Sequence, residues 1–348
     1  MSENDSWRRL YPFESRYLDL DSVRYHYLDE GPSNARAGRP EALRTSESGT
    51  GLNRKADQAA DRNAGADDAC APLLMVHGNP TWSFYWRRLV EHWRPRHRVV
   101  VPDHVGCGLS DKPDQYDYCL DRHVENLCRL IERLDLRRIT LLAHDWGGAI
   151  GMGAATRMPD RFARFVLMNT AAFRGRPIPW RIRVCRGPLL GQLLVRGLNG
   201  FSRAALWMAT CHRERFTPDV RAGYLAPYDN WAHRVAVHRF VRDIPSETDH
   251  PSRPTLERIE SQLALFRDHP VLLPWGMRDW CFTPWYLERF LEFFPAARAC
   301  RFDDAGHYIV EDAHERIIPE VVRFFSDHPL LPAAHAVEDG ATTDGRMQ

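Results

Sequence analysis

The stretch from Ile139 to Ile150 constrains the fold of this chain more than any other. Its beginning is an apolar run typical of a buried strand, and its end has the composition of a helix. Between the two lies Ala143-His-Asp-Trp-Gly147, in which small residues flank a central acid. Small residues are required there because a strand that turns sharply into a helix crowds its neighbours against other backbone. The stretch therefore predicts an elbow with Asp145 at its apex.

The acid at the apex of this elbow is suited to nucleophilic attack. A carboxylate such as that of Asp145 is ionised at neutral pH, so it needs no base to become a nucleophile. Its attack on a carbon atom would leave an ester on the protein. The alternative interpretation is that Asp145 only caps the following helix, which is a common use of aspartate.

Apolar runs and amphipathic stretches alternate along most of the chain, which predicts a parallel sheet covered by helices on both faces. Residues 17–29 have the alternating pattern of a β-hairpin. Six further strands are predicted at 72–77, 98–102, 139–143, 162–168, 271–275 and 298–302. Helices are predicted at 82–93, 120–134, from 149 onward, at 284–294 and at 317–325. The predicted fold class is α/β, with a mostly parallel eight-stranded sheet.

Three segments depart from this alternation. Residues 31–71 contain almost no large apolar side chain, so we expect a disordered loop insertion between core segments 1–30 and 72–171. Residues 172–245 lack a strand pattern and are expected to form an inserted helical cap over the carboxyl ends of the strands. The second part of the core is predicted at 246–328. The tail, 329–348, is expected to be disordered.

A base and a second acid are predicted at the ends of two later strands. His307 follows the strand at 298–302, and a neutral histidine is the natural base for releasing an ester. Asp279 follows the strand at 271–275 and would fix the imidazole. The acid position after the earlier strand is occupied by Asn169 and Thr170, neither of which carries charge. A lone histidine or loop aspartate is more often structural, but the order nucleophile, acid, histidine is that of an α/β-hydrolase triad.

Two donors are expected to meet the group that leaves when Asp145 attacks. Asn79, in His77-Gly-Asn-Pro80, and Trp146, next to the nucleophile, each carry a side-chain N–H and a backbone N–H. The indole of Trp146 is a donor only, so it suits a halide or a carboxylate. Packing is the alternative role for Trp146.

Composition excludes several classes of partner. The chain has 47 Lys and Arg against 46 Asp and Glu, which gives no support for binding nucleic acid or an anionic membrane. Eight cysteines form no CxxC pair, so no metal site is expected, and no cofactor is called for. The polar beginning of the chain predicts no signal peptide, and no apolar run could span a bilayer. A cytoplasmic location is expected.

Four motifs together resemble the haloalkane dehalogenase-like branch of the α/β-hydrolases. They are His77-Gly-Asn-Pro-Thr-Trp-Ser-Phe-Tyr-Trp86, Pro102-Asp-His-Val-Gly-Cys-Gly-Leu-Ser-Asp-Lys-Pro113, His144-Asp-Trp-Gly-Gly148 and Gly306-His307. The resemblance implies an α/β-hydrolase fold with an inserted cap. It also implies Asp145 as nucleophile, His307 as base, Asp279 as acid, and Asn79 with Trp146 as the leaving-group pair.

Four further segments resemble the β-lactone decarboxylases of bacterial long-chain olefin biosynthesis. They are Asp103-His-Val-Gly-Cys-Gly108, Asn169-Thr-Ala-Ala-Phe173, Tyr224-Leu-Ala-Pro-Tyr-Asp-Asn-Trp231 and Arg239-Phe-Val-Arg-Asp-Ile-Pro245. The resemblance implies conversion of a cis-dialkyl β-lactone to a cis-olefin and CO2, a small apolar substrate, and contact with other enzymes of that biosynthesis. The pocket residues that it implies are His104, Phe173, Tyr224 and Tyr228.

Three other functions remain open at this point. A haloalkane dehalogenase would use the same nucleophile and donors. An epoxide hydrolase needs two acidic hydroxyls over the nucleophile, and Tyr224 and Tyr228 would share a helix face if Ala226-Pro227 did not interrupt the helix. We therefore predict a loop there. A non-enzymatic binding protein has no need of all three triad groups.

Overall fold

The computed structural model describes residues 3–32 and 71–330. Almost all of the predicted insertion at 31–71 and of the predicted tail at 329–348 lies outside the described residues, so disorder there stays a prediction. Within the described ranges, no helix is both long enough and apolar enough to cross a membrane.

A single eight-stranded sheet forms the centre of the molecule, in the order β1-β2-β4-β3-β5-β6-β7-β8. The first two strands form the predicted hairpin, and β2 also runs antiparallel to β4. All other pairs are parallel. The strands are β1 Arg16–Leu20, β2 Val23–Glu30, β3 Leu73–Val76, β4 Val99–Pro102, β5 Ile139–Asp145, β6 Phe162–Thr170, β7 Val271–Gly276 and β8 Arg298–Phe302. The prediction of a mostly parallel sheet of eight strands is confirmed.

Two apolar layers bury the two faces of this sheet. Along β5, Leu141 and Ala143 pack into one layer and Leu142 into the other. Burial on both sides explains why the central strands are continuous apolar runs. The helices that flank the sheet are α1 Arg87–Trp93, α2 Leu120–Arg133, α3 Trp146–Arg157, α9 Arg253–Gln262, α10 Pro284–Phe293 and α11 Ile309–Asp327.

Between the end of β6 and the start of α9 the chain forms short helices and no strand. These helices are α4 Trp180–Cys185, α5 Leu190–Gln192, α6 Gly200–Met208, α7 Pro218–Leu225 and α8 Val235–Arg242. A buried ion pair fastens this region to the core, because Glu311 of α11 pairs with Arg87 of α1 and accepts a hydrogen bond of 2.6 Å from the hydroxyl of Tyr224 in α7.

Three sequence-based boundaries were wrong. The helix predicted from 149 begins at Trp146, because glycines let it approach the sheet: a Cβ at Gly147 would lie 2.1 Å from the carbonyl oxygen of Val76. The last helix begins at Ile309 rather than 317 and tolerates a break at Ala313. The predicted loop at 226–227 is a 3-10 turn that continues α7, since proline is accepted in a first helical turn.

Candidate active site

The nucleophile elbow is formed where β5 passes directly into α3. Asp145 has φ 54° and ψ −126°, a combination that non-glycine residues rarely adopt. The Thr170 hydroxyl donates to the carbonyl oxygen of Asp145 and helps to hold the turn. A Cβ at Gly78 would lie 2.1 Å from Asp145 Oδ1, so glycine is required there. The elbow thus places the carboxylate of Asp145 at the carboxyl end of the sheet.

The three predicted triad residues come together at this end of the sheet. His307 Nδ1 lies 2.8 Å from Asp279 Oδ2, and His307 Nε2 lies 3.5 Å from Asp145 Oδ2. All three side chains are buried. Each residue stands at or just beyond the carboxyl end of a parallel strand, which explains how residues far apart in sequence meet. The imidazole therefore bridges two carboxylates.

The surrounding charges set the protonation of this group. Burial alone would lower the pKa of His307, but Asp279 and Asp145, through charge and hydrogen bonding, raise it to about 10. Burial raises the pKa of Asp145, but the hydrogen bond and charge of His307 outweigh burial and hold that pKa below its ordinary value. At neutral pH these shifts favour a protonated His307 beside an ionised Asp145.

Asn169 orients the acid, a role that sequence reasoning missed. Its Nδ2 donates to Asp279 Oδ2 at 3.0 Å and to the carbonyl oxygen of Gly276 at 3.1 Å. Its Oδ1 accepts from the backbone N–H of Gly276 at 2.8 Å, so the side chain spans from β6 to the end of β7. The sequence signal is the position of Asn169 at the end of β6, where an acid could stand: an amide there cannot replace the acid but can donate to it.

The two predicted donor residues lie beside Asp145, and one of them bonds to it through its backbone. The backbone N–H of Asn79 donates to Asp145 Oδ1 at 2.7 Å, and its side-chain Nδ2 donates to the carbonyl oxygen of Val237 at 3.2 Å. Trp146 is partly buried, with its ring 5.3 Å from that of Phe240. Both residues line a cavity that reaches Asp145. Their role toward a leaving group stays a prediction.

Two cavities reach the nucleophile from the side of the cap. The large cavity, of about 880 Å³, is lined by Trp146, Phe173 and Leu256 among others. The small cavity, of about 390 Å³, is lined by His307 and by several residues of α6. Both have the size of ligand sites in proteins. Cys281 lines both cavities, and the ring of Phe282 stacks on His307 with centroids 5.7 Å apart.

Of the four predicted pocket residues, only Phe173 lines one of these two cavities. His104 is buried in the loop that follows β4, where its backbone N–H donates to His77 Nε2 at 3.0 Å. The hydroxyl of Tyr224 is taken by Glu311, and that of Tyr228 donates to the carbonyl oxygen of Thr81 at 3.3 Å. His104, Tyr224 and Tyr228 thus line neither of the two cavities, and their role toward a substrate stays a prediction. These tyrosines also do not supply the paired hydroxyls that epoxide opening needs.

The fold, the aspartate at the elbow and the arrangement of Asp145, Asp279 and His307 are those of an α/β-hydrolase. The family model described as alpha/beta hydrolase fold matches residues 71–313, and the chain belongs to that family. The cis-3-alkyl-4-alkyloxetan-2-one decarboxylase of Shewanella oneidensis is 42% identical over 92% of this chain and 91% of its own. Haloalkane dehalogenase 2 of Mycobacterium bovis is 32% identical over 91% of this chain and 96% of its own.

A solved structure shows the same fold. The haloalkane dehalogenase DbeA of Bradyrhizobium elkani aligns with a TM-score of 0.72 and 20% identity, over 90% of this chain and 98% of its own. This structural likeness shows the fold, and the sequence relatives carry the resemblance in function. The predicted membership of the haloalkane dehalogenase-like α/β-hydrolases is confirmed.

Proposed function

We propose that this enzyme is a β-lactone decarboxylase that converts a cis-3-alkyl-4-alkyl β-lactone to a cis-olefin and CO2. The observation that carries the proposal is the 42% identity to such a decarboxylase, which extends over 92% of the chain. An ionised Asp145 beside a protonated His307 also supports the proposal. Asp145 can attack a carbon atom of the substrate, and it can later leave that carbon again without any water.

The first step is attack by Asp145 on ring carbon 4, which bears one alkyl chain. The bond between that carbon and the ring oxygen breaks, so the strained ring opens and an alkyl ester forms on Asp145. The negative charge passes from Asp145 to the departing carboxylate of the substrate. Asn79 and Trp146 lie beside Asp145 and are the donors proposed to stabilise this carboxylate.

The second step releases both products and restores the enzyme. The bond between ring carbon 3 and the carboxylate breaks, CO2 leaves, and the electron pair forms the double bond to carbon 4. The bond from carbon 4 to Asp145 breaks at the same time and returns the carboxylate. The positive charge of His307, 3.5 Å away, favours that return. No water is consumed, and no net proton is transferred.

The stereochemistry of the two steps agrees with a cis product. Displacement at carbon 4 inverts that carbon. Elimination of CO2 and Asp145 from opposite faces then gives an overall outcome equal to removal from one face. A cis-lactone therefore yields a cis-olefin.

Haloalkane dehalogenase activity is the second candidate function. The relative with 32% identity and the donors beside Asp145 favour it. The alkyl ester would then leave by hydrolysis, with His307 as the base that activates water. His307 must be neutral for that role. Ester formation removes the charge of Asp145, one of the two charges that raise the pKa of His307, so its pKa falls in the intermediate.

Product analysis separates these functions. The purified enzyme is incubated with a cis-dialkyl β-lactone and, separately, with a primary bromoalkane, with Asp145→Asn as the control in both. The proposal expects the cis-olefin from the lactone and at most slow bromide release. Rapid bromide release with no olefin would replace the proposal by the dehalogenase, and a β-hydroxy acid from the lactone would indicate a hydrolase.

A further inference from the structure

The two cavities described above meet at the nucleophile. Five residues line both of them, and these are Asn79, Asp145, Ile182, Phe201 and Cys281. Asn79 and Asp145 belong to the core, whereas Ile182 and Phe201 are contributed by the cap region. An extended molecule centred on Asp145 therefore has two directions in which to continue.

Helix α4 separates the two directions. Trp180, Arg181, Val184 and Cys185 line the small cavity, whereas Arg183 and, directly after the helix, Arg186 line the large one. This division follows the helical period, in which positions three and four apart share a face. Ile182 lines both cavities, so α4 forms a wall whose two faces look into different spaces.

Apart from the triad and Arg181, whose guanidinium lies over the rings of Trp180 and Trp280, the small cavity is apolar. His307 and Tyr308 lie at its inner end, and side chains from α4 and α6 form its walls. Ala204, Ala205 and Met208 of α6 offer no charge and little bulk. A hydrocarbon chain fits this lining, since burying it there removes apolar surface from water.

The large cavity is apolar near the nucleophile and charged at its rim. Trp146, Phe173 and Leu256 surround its inner part. Exposed ion pairs stand further out, with Arg174 Nε 2.8 Å from Glu260 Oε2 and Arg186 Nη1 2.7 Å from Glu247 Oε1. A chain bound in this cavity is therefore enclosed near the ring and meets water at the rim.

We propose that the two alkyl chains of the lactone bind on opposite sides of α4, one in each cavity, with the ring over Asp145. This inference rests on the proposed function. The two chains start from adjacent carbons on one face of the ring, so both begin close to the reacting carbon. The two cavities likewise meet beside Asp145. The orientation of the ring fixes which chain enters which cavity, because carbon 4 must face Asp145 and the carboxylate must face Asn79 and Trp146.

The test fills one cavity at a time. Ala205→Phe narrows the small cavity and Ala171→Phe the large one, and Ala232→Phe, on the exposed surface of the cap and outside both cavities, is the matched control. Three cis-lactones are compared: one with two octyl chains, and two that carry one methyl and one octyl group in either order. If Ala205→Phe fails to fold, Ala204→Phe is used to narrow the small cavity. If Ala171→Phe fails to fold, Leu256→Trp is used to narrow the large one.

The expected pattern is reciprocal. Each filling should lower kcat/KM for the dioctyl lactone and for one mixed lactone by at least about tenfold, the size of a steric mismatch in an apolar pocket. Each filling should leave kcat/KM for the other mixed lactone unchanged. The mixed lactone that is unaffected should differ between the two fillings. Ala232→Phe should match the wild type. The proposal is overturned if both fillings spare the same mixed lactone, or if neither distinguishes the substrates.

A binding measurement separates this proposal from the proposed function. Cis-2,3-dialkylcyclobutanones with the same chains keep the ring and the carbonyl but replace the ring oxygen, so no carboxylate can leave. Their Kd values should show the same reciprocal pattern. Absence of olefin from all three lactones with wild-type enzyme would reject the function, and the Kd pattern would still decide the placement of the chains.

Discussion

At the scale of single residues, the site depends on one imidazole held between two carboxylates. His307 lies 2.8 Å from Asp279 and 3.5 Å from Asp145, and its pKa is raised to about 10. The residue types and their order along the chain predicted these three positions. The position of Asn169 at the end of β6 was visible in the sequence, but its contact with Asp279 depends on how β6 and β7 align, which no local pattern contains.

Replacing the nucleophile tests its role directly. Asp145→Asn keeps the shape of the side chain but leaves a poor nucleophile, so kcat should fall on the order of 10⁴-fold or more with little change in melting temperature. Olefin formation and circular dichroism are the measurements. The variant is freshly purified and its sequence verified by mass spectrometry, because deamidation would restore the aspartate. Full activity in the verified Asp145→Asn protein would remove Asp145 from the mechanism.

Removing the imidazole separates ester formation from ester release. With a bromoalkane probe, His307→Ala should release about one equivalent of bromide per site and then stop, because hydrolysis of the ester needs a base. Mass spectrometry after digestion should find the alkyl group on Asp145. The lactone reaction needs no water, so it should slow without stopping at one turnover. Folded protein with neither burst nor adduct would count against covalent catalysis itself.

At the scale of elements, the strands were predictable because both faces of the sheet are buried, and the helix ends were not. The start of α11 at Ile309 is set by contacts of the loop that precedes it. In one of these contacts the backbone N–H of Gly306 donates to Asp312 Oδ2 at 2.7 Å. The buried network of Glu311, Arg87 and Tyr224 joins α11, α1 and α7 and was likewise invisible in the sequence.

This network makes a testable contribution to stability. Glu311→Gln leaves the Arg87 charge buried without a carboxylate, so the free energy of unfolding should fall by about 3–5 kcal/mol. Glu288→Gln is the matched control, because Glu288 pairs with Arg301 on the surface, and it should cost less than about 1 kcal/mol. Urea unfolding measures both. Equal stability of the two variants would show that the network contributes nothing specific.

At the scale of the whole molecule, the chain enters and leaves the segment 31–71 at one end of the strands, and the active site stands at the other end. Glu30 and Leu73 both pair with Val99, at the beginning of β4, whereas the triad stands at the carboxyl ends of the parallel strands. The cavities could not be predicted, because their walls come from segments far apart in the sequence. Only Phe173 was anticipated among the lining residues that are neither triad nor donor residues.

Deleting residues 33–70 should therefore leave stability and activity nearly unchanged. The flanking strands lie on either side of β4, about 10 Å apart by strand spacing, so a short glycine-containing turn can join them. Loop closure changes little with loop length. Melting temperature and olefin formation are compared with those of the full chain. A large fall in melting temperature would show that the segment packs on the domain.

The central claim is that Asp145 carries an ester that leaves without water. We expect many turnovers of a cis-dialkyl β-lactone in water enriched in oxygen-18 to give cis-olefin and CO2 in equal amounts. The peptide that contains Asp145, analysed by mass spectrometry, should stay unlabelled, because its oxygens are never exchanged. Oxygen-18 in Asp145 together with a β-hydroxy acid product would mean that water hydrolyses the ester, and would contradict the account.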